Sequence, residues 1–143
     1  MPKKRLERAE YMAKIGVVIV SHSEYIANGL KDLVNEMNDG TVPVIAAGGA
    51  DGGRIGTSAI RIQNAIESLE DCDHILIYAD LGSSVLSAET AIDIVDEDLA
   101  EKVQIVDAPI VEGALAGVVQ ATISDDVNEV IRVSEEARNA HKV

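Results

Sequence analysis

The sequence has 143 residues, the size of one domain, and 47% of them are hydrophobic, which excludes a disordered tail. It has no Trp or Phe and only three Tyr (Tyr11, Tyr25, Tyr78), so it offers no aromatic platform for stacking bases or a flavin ring. Its formal charge of −13 is uneven: residues 1–14 hold five bases and two acids, while residues 15–143 hold seven bases against twenty-three acids, a balance that repels nucleic acid and anionic membranes. Residues 1–14 are basic but lack the apolar stretch of a secretory leader, and two readings stand for them. Either residues 1–11 are an extension ahead of a start at Met12, or the segment forms a short helix packed on the body. We treat 1–14 as an N-terminal extension and 15–143 as the functional domain.

The first run after the extension, Ile15-Gly16-Val17-Val18-Ile19-Val20, is unbroken and apolar, as expected of a strand buried on both faces. A helix pattern follows, with Ile26, Leu30, Leu33, Val34 and Met37 on one face, ended by Asp39-Gly40. Val42 to Ala47 reads as a second strand. Residues 48–56 hold five glycines and must be a loop. Thr57 or Ser58 caps the next helix, whose face is Ala59, Ile62, Ile66 and Leu69. His74 to Ala79 is a third strand, and Asp80-Leu81-Gly82-Ser83-Ser84 turns into a helix carrying Ala88, Ala91, Ile92 and Val95. Val103 to Val106 is a short fourth strand. After Asp107-Ala108-Pro109 comes a helix with Leu115, Val118 and Val119 on its face. Ser124-Asp125-Asp126 then caps a last helix bearing Val127, Val130, Ile131 and Ala137.

Strict alternation of strand and helix predicts an α/β fold: one doubly wound, flavodoxin-like, mainly parallel sheet of order 2-1-3-4 with helices on both faces. Ligands in such sheets sit beyond the carboxyl ends of the strands, at the switch point between the first and third. Four segments fall there: Ser21-His22-Ser23, the glycine loop closing on Gly56-Thr57-Ser58, Asp80 to Ser84, and Asp107-Ala108-Pro109 followed by Glu112. Hydroxyls, glycine amides and helix N-termini suit a small anion such as a phosphoryl group.

Histidine sorts by elimination. His74 opens the third strand, at the wrong end of the sheet, and His141 is in the C-terminal tail, so only His22 lies at the expected site. A neutral imidazole is a nucleophile that forms a phosphoramidate, and the group that takes the proton of one ring nitrogen selects the other for attack. Asp80 is the best-placed carboxylate for that. The alternative for His22 is a polar loop residue beside a serine cap. The glycine loop is either a surface turn or a close backbone approach to an anion or partner, and it spells neither the P-loop nor the dinucleotide pattern. Glu112 is either a site carboxylate or an acid in a helix's first turn. A phospho-aspartate receiver is rejected: the place of its metal-binding acids reads Ser-His-Ser. The single cysteine, Cys72, excludes an internal disulfide and a cysteine-cluster metal site and fits a reducing, cytoplasmic setting. No apolar run approaches the ~18 residues of a membrane span.

Four blocks now stand in register: Val-Ser-His-Ser (20–23); Ala-Ala-Gly-Gly (46–49) running to Ile-Gly-Thr-Ser (55–58); Asp-Leu-Gly-Ser-Ser (80–84) with Ser87-Ala88-Glu89; and Ala-Pro-Ile-Val-Glu-Gly-Ala (108–114). Together they resemble the mannose-type EIIA domain of the phosphoenolpyruvate-dependent phosphotransferase system, and most narrowly the branch that serves dihydroxyacetone kinase. The resemblance spans residues 15 to about 139. It implies that His22 accepts a phosphoryl group on Nε2 from phospho-HPr. The group then passes to ADP held in the nucleotide-binding subunit of dihydroxyacetone kinase, for phosphorylation of dihydroxyacetone bound by a third subunit. It also implies a homodimer, and no cofactor or metal. Ser23, Thr57, Ser58, Asp80, Gly82, Ser83 and Ser84 are the expected support around the phosphoryl group. The readings set against this one are an EIIA component of a sugar transporter and a non-catalytic regulator of the same fold that binds a phosphorylated metabolite.

Overall fold

The computed structural model describes residues 14–143. The expectations for the N-terminal extension therefore lie outside the described residues, apart from Lys14. Strand β1 (Ile15–Ser21) leads to α1 (Glu24–Asn35), β2 (Val44–Gly48), a 3-10 turn (Asp51–Gly53) and α2 (Ala59–Glu67). Then come β3 (His74–Ala79), α3 (Gly82–Ile94), the short α4 (Glu97–Ala100), β4 (Val103–Ile105), α5 (Ile110–Ala121) and α6 (Val127–Glu136). The four strands form one sheet in the order β2-β1-β3-β4, with every pairing parallel. This is the order 2-1-3-4 that the alternation predicts.

β1 is central and all seven of its residues are buried. Period-two alternation divides its side chains between two cores. Ile15, Val17 and Ile19 join Leu76 and Tyr78 of β3 beneath Ala27, Leu30 and Val34 of α1, Ala114 and Val118 of α5, and Val130 of α6. Val18 and Val20 join Ile75 and Ile77 beneath Ile62, Ala65 and Ile66 of α2 and Ala88, Ala91 and Val95 of α3. Parallel register pairs Ser21 with Gly48 and Val20 with Ala79, so the first three strands finish at one edge of the sheet.

The structure revises several expected boundaries and faces. β2 starts at Val44, not Val42, because Pro43 has no N–H for the ladder; Pro43 still accepts from the Val17 N–H at 2.9 Å through its carbonyl. β2 also extends through Gly48, which the sequence reading assigns to the loop. β4 stops at Ile105, although the Val106 N–H still reaches the Ile77 carbonyl at 2.9 Å. α4 was not expected.

On α1 the buried stripe is Ala27, Leu30 and Val34, while Ile26, Leu33 and Met37 are exposed. The apolar stripe is wider than the sheet can cover, and α1 seats itself on its smallest apolar side chain: a Cβ built on Gly48 would stand 2.6 Å from the Ala27 Cβ. α5 likewise turns its glycines inward, burying Gly113, Ala114, Gly117 and Val118, with Leu115 only partly buried. A Cβ on Gly117 would stand 2.5 Å from Ser134 Oγ and 3.0 Å from Tyr78 Cζ, so only glycine allows this approach. α6 buries Val130 and Ser134, and Val127 and Ile131 pack beside them as expected.

Candidate functional site

The site grows from the ends of β1 and β3. Ser21, the last residue of β1, continues the buried alternation, so its hydroxyl is held in the protein and donates to Asp80 Oδ2 at 2.8 Å. The chain then leaves the sheet at His22, whose backbone N–H donates to the same oxygen at 3.0 Å. Asp80 follows the end of β3, where its Oδ1 accepts from the Leu81 N–H at 2.7 Å and from Ser84 Oγ at 2.5 Å. The His22 ring closes on this carboxylate with Nδ1 3.0 Å from Oδ1.

These contacts set charge and tautomer together. Burial works against ionisation of Asp80, but the hydrogen bonds from Ser84, the His22 N–H, Ser21 and the His22 ring outweigh it and hold the carboxyl well below its usual range. An ionised carboxylate only accepts, so the Nδ1 facing it carries a proton, and in the neutral ring Nε2 is then the nitrogen with the lone pair. Ser84 Oγ, which gives its proton to Asp80, lies 3.1 Å from Nδ1 and closes a triangle with the two groups. On the other side of the ring, Nε2 meets the Ser83 hydroxyl at the exposed edge of the site. Ser83 lies in the first turn of α3, which starts at Gly82 behind Leu81 with no side chain capping its N-terminus. The amide end of that helix thus lies beside Nε2.

Of the expected support residues, Asp80, Ser83 and Ser84 touch the His22 ring. Ser23, Thr57, Ser58 and Gly82 make no hydrogen bond to it. Ser23 Oγ caps α1 by accepting from the Ile26 N–H at 3.2 Å, and Ser58 Oγ caps α2 by accepting from the Arg61 N–H at 3.2 Å. A capping hydroxyl accepts a bond and keeps its own proton to donate. Thr57 Oγ1 is engaged with Ser87 Oγ at 2.6 Å. The glycine loop braces the site through its backbone: the Gly49 N–H donates to the Ser21 carbonyl at 3.0 Å and the Gly56 N–H to the His22 carbonyl at 2.8 Å. Those two amides serve the protein rather than an anion. Glu112 is held by Lys142 at 2.5 Å, with its carboxyl below its usual range through that bond, and none of its hydrogen bonds is with His22.

Two participants were missed in the sequence. The sequence marks Ser21 only as a neighbour of His22 or a helix cap; its position in the strand's period-two alternation is what turns it inward to Asp80. Ser87, which holds Thr57, lies one helical turn beyond Ser83 and Ser84, a spacing that puts it on the same end of α3.

Residues 16–131 match the family described as EIIA-man, PTS system fructose IIA component. The chain belongs to the EIIA-man family of the phosphotransferase system. The chain is 45% identical over 129 residues to the PEP-dependent dihydroxyacetone kinase, phosphoryl donor subunit DhaM, of Providencia stuartii. That match covers 88% of this chain but 27% of the relative, so the EIIA-man chain spans about a quarter of that protein's length. A phosphoryl donor subunit DhaM of PEP-dependent dihydroxyacetone kinase 2 from Listeria innocua is 41% identical over 127 residues, covering 89% of this chain and 99% of the relative. The crystal structure of the unknown function protein EF1359 is 38% identical and superposes with a TM-score of 0.79, over 91% of this chain and 97% of the other.

Proposed function

We propose that His22 is a phosphoryl carrier in the phosphorylation of dihydroxyacetone. Its Nε2 accepts a phosphoryl group from phospho-HPr and passes it to ADP held in the nucleotide-binding subunit of dihydroxyacetone kinase. The ATP formed there phosphorylates dihydroxyacetone on a third subunit. The observation that carries this reading is the 3.0 Å contact between Nδ1 and Asp80 Oδ1. It keeps the proton on Nδ1 and the lone pair on Nε2, at the exposed side of the ring. As the N–P bond forms, the ring becomes an imidazolium, and Asp80 supplies its counter-charge. The proton on Nδ1 need not move in either direction, which suits a carrier that must load and unload with little energy difference.

In the same reading the Ser83 hydroxyl swings off Nε2 and donates to a phosphoryl oxygen, joined by the amides at the start of α3 and by Ser23, Thr57 and Ser58. Gly82 lets that helix begin without a side chain in the way. The transfer needs no metal or cofactor on this chain. The curated relatives' names support dihydroxyacetone kinase as the acceptor, whereas the family description names a fructose component. A donor charged from phosphoenolpyruvate puts the protein in the cytoplasm, and a homodimer is the proposed working form; a monomer mass by sedimentation would remove that last part alone.

The test is intact mass after incubation with phosphoenolpyruvate, enzyme I and HPr. The wild type gains one phosphoryl group, labile to acid and stable to alkali, and His22→Ala gains none. The kinase subunits with ADP and dihydroxyacetone then discharge it. Discharge only by a transporter subunit transfers the assignment to a sugar EIIA. An unlabelled wild type, beside a control EIIA that is labelled, overturns the carrier reading and leaves the binding module.

A further inference from the structure

Residues 15–143 hold seven cations among more than three times as many acids. Most are tied down. Arg132 pairs with Glu129 and Glu136, Arg138 with Asp107, and Lys142 with Glu112. Arg61 lies 3.9 Å from Glu24 and donates to the Gly48 carbonyl, and Lys102 donates to the Glu70 carbonyl. Arg54 differs. Its Nε donates to the Asp51 carbonyl within its own loop at 3.0 Å, and among the described residues no carboxylate pairs with its guanidinium. The Nε bond pins the side chain and leaves the Nη groups, a planar fork of donors suited to phosphate.

The loop that carries Arg54 is fastened to the reactive histidine. The Arg54 carbonyl accepts from the Ala50 N–H at 2.9 Å, and two residues on, the Gly56 N–H reaches the His22 carbonyl at 2.8 Å. Large apolar side chains stand in solvent on each of the three segments that meet here. Ile55, next to Arg54, is 76% exposed; Tyr25, in the first turn of α1, is 90% exposed; Leu81, next to Asp80, is 62% exposed. A single exposed apolar residue is unremarkable, but here one stands on each of the three segments joined at His22.

We infer that Arg54 and the rim of Tyr25, Ile55 and Leu81 are the docking surface for the acceptor protein, with the Arg54 guanidinium meeting the phosphates of its bound ADP. This rests on the phosphohistidine reading and says which half of the cycle uses the surface. In loading, a phosphoryl group of about two negative charges approaches a neutral imidazole. In unloading, that group sits on His22, its ring charge balanced by Asp80, and must meet a diphosphate that carries still more negative charge. Repulsion is greatest in the second step, and the acid-rich body adds to it. A β-phosphate oxygen of ADP attacks phosphorus, the O–P bond forms as the N–P bond breaks, and the electron pair returns to Nε2 while Nδ1 keeps its proton. A guanidinium on the diphosphate offsets the repulsion along that path, and the apolar rim binds the protein that holds the nucleotide.

The experiment follows two rates on the full chain: loading from phospho-HPr, and unloading to the purified nucleotide-binding subunit carrying ADP. Arg54→Ala slows unloading about tenfold, the loss expected for one hydrogen bond to a charged group, and flattens its salt dependence. Loading slows far less. Arg54→Lys recovers part of the rate. Ile55→Ser and Leu81→Ser raise the subunit concentration needed for half-maximal unloading. Lys102→Ala, which removes the same charge beside the amino end of β4, matches the wild type. Arg54→Ala unloading at the Lys102→Ala rate would overturn the inference, as would equal slowing of both steps. A wild type that never loads is a different failure, that of the carrier reading itself.

Discussion

Asp80 receives five hydrogen-bonding groups: Ser21 Oγ, the His22 and Leu81 N–H groups, Ser84 Oγ and His22 Nδ1. Replacing it by Asn keeps the shape, but one acceptor oxygen becomes a donor that faces donors. Asp80→Asn is expected to cost roughly 1–3 kcal/mol at neutral pH and to slow loading of His22 at least about a hundredfold, because nothing then holds Nδ1 in its protonated tautomer. Intact mass against time reads the second effect. The pH dependence has a definite sign. The native carboxyl lies below its unfolded value, so its stabilisation is complete above the ordinary carboxylate range and is lost as pH falls through the native value. Denaturant melts of wild type and Asp80→Asn should therefore differ at pH 7 and converge toward strongly acid pH; a gap that stays constant in acid would show that the bonds, not the charge, stabilise the fold. Asp80 and His22 are legible in the sequence because each directly follows a recognisable strand. Ser21 is not, because an inward turn at a strand's last residue is set by register, and register comes from the partner strands.

At the scale of elements, the glycine face of α5 makes a sharper claim than its leucines. Tyr78 is wholly buried, its hydroxyl bonded to Ser134 Oγ at 2.8 Å, and burial pushes its pKa up to about 12, with the Ser134 bond acting slightly the other way. The hydroxyl stays protonated, and Gly117 sits against it. Gly117→Ala should lower stability by about 1–3 kcal/mol through overpacking, and Tyr78→Phe should recover part of that by removing the nearest atom. Thermal melts of the two single variants and the double variant decide it; strict additivity would mean that the two residues do not press on each other. The same contrast explains which elements could be read in advance. β1 and β3 are continuous apolar runs that only a two-faced strand accommodates, and His74–Ala79 emerges with its expected bounds. The largest apolar residues mark the expected faces of α1 and α5, yet close packing selects small ones, Ala27 and Gly117. Hydrophobic periodicity reports which residues avoid water and says little about which way a helix must roll to come near.

For the whole molecule, the governing quantity is the charge of −13. The Lys and Arg ion pairs among the described residues are largely exposed: Arg132 to Glu129 and Glu136 at 3.0 Å within α6, Lys142 to Glu112 at 2.5 Å, Arg138 to Asp107 at 3.3 Å and Arg61 to Glu24 at 3.9 Å. Each such pair is worth about 0–1 kcal/mol, and salt weakens it. Against them stands an excess of acids spread over the surface, whose mutual repulsion favours expansion and is also weakened by salt. The two effects oppose each other, and number decides. Cations are outnumbered more than three to one in residues 15–143, so repulsions exceed attractions once the pairs are counted. Added KCl should therefore raise the melting temperature, by a few degrees, with most of the gain reached as the Debye length shrinks to about 10 Å near 0.1 M. Calorimetry over a salt series checks this. A melting temperature that falls with salt would mean that the pairs around α6 stabilise the fold more than the acid excess strains it. Arg132→Ala would then be the sensitive variant, since its removal should abolish that fall.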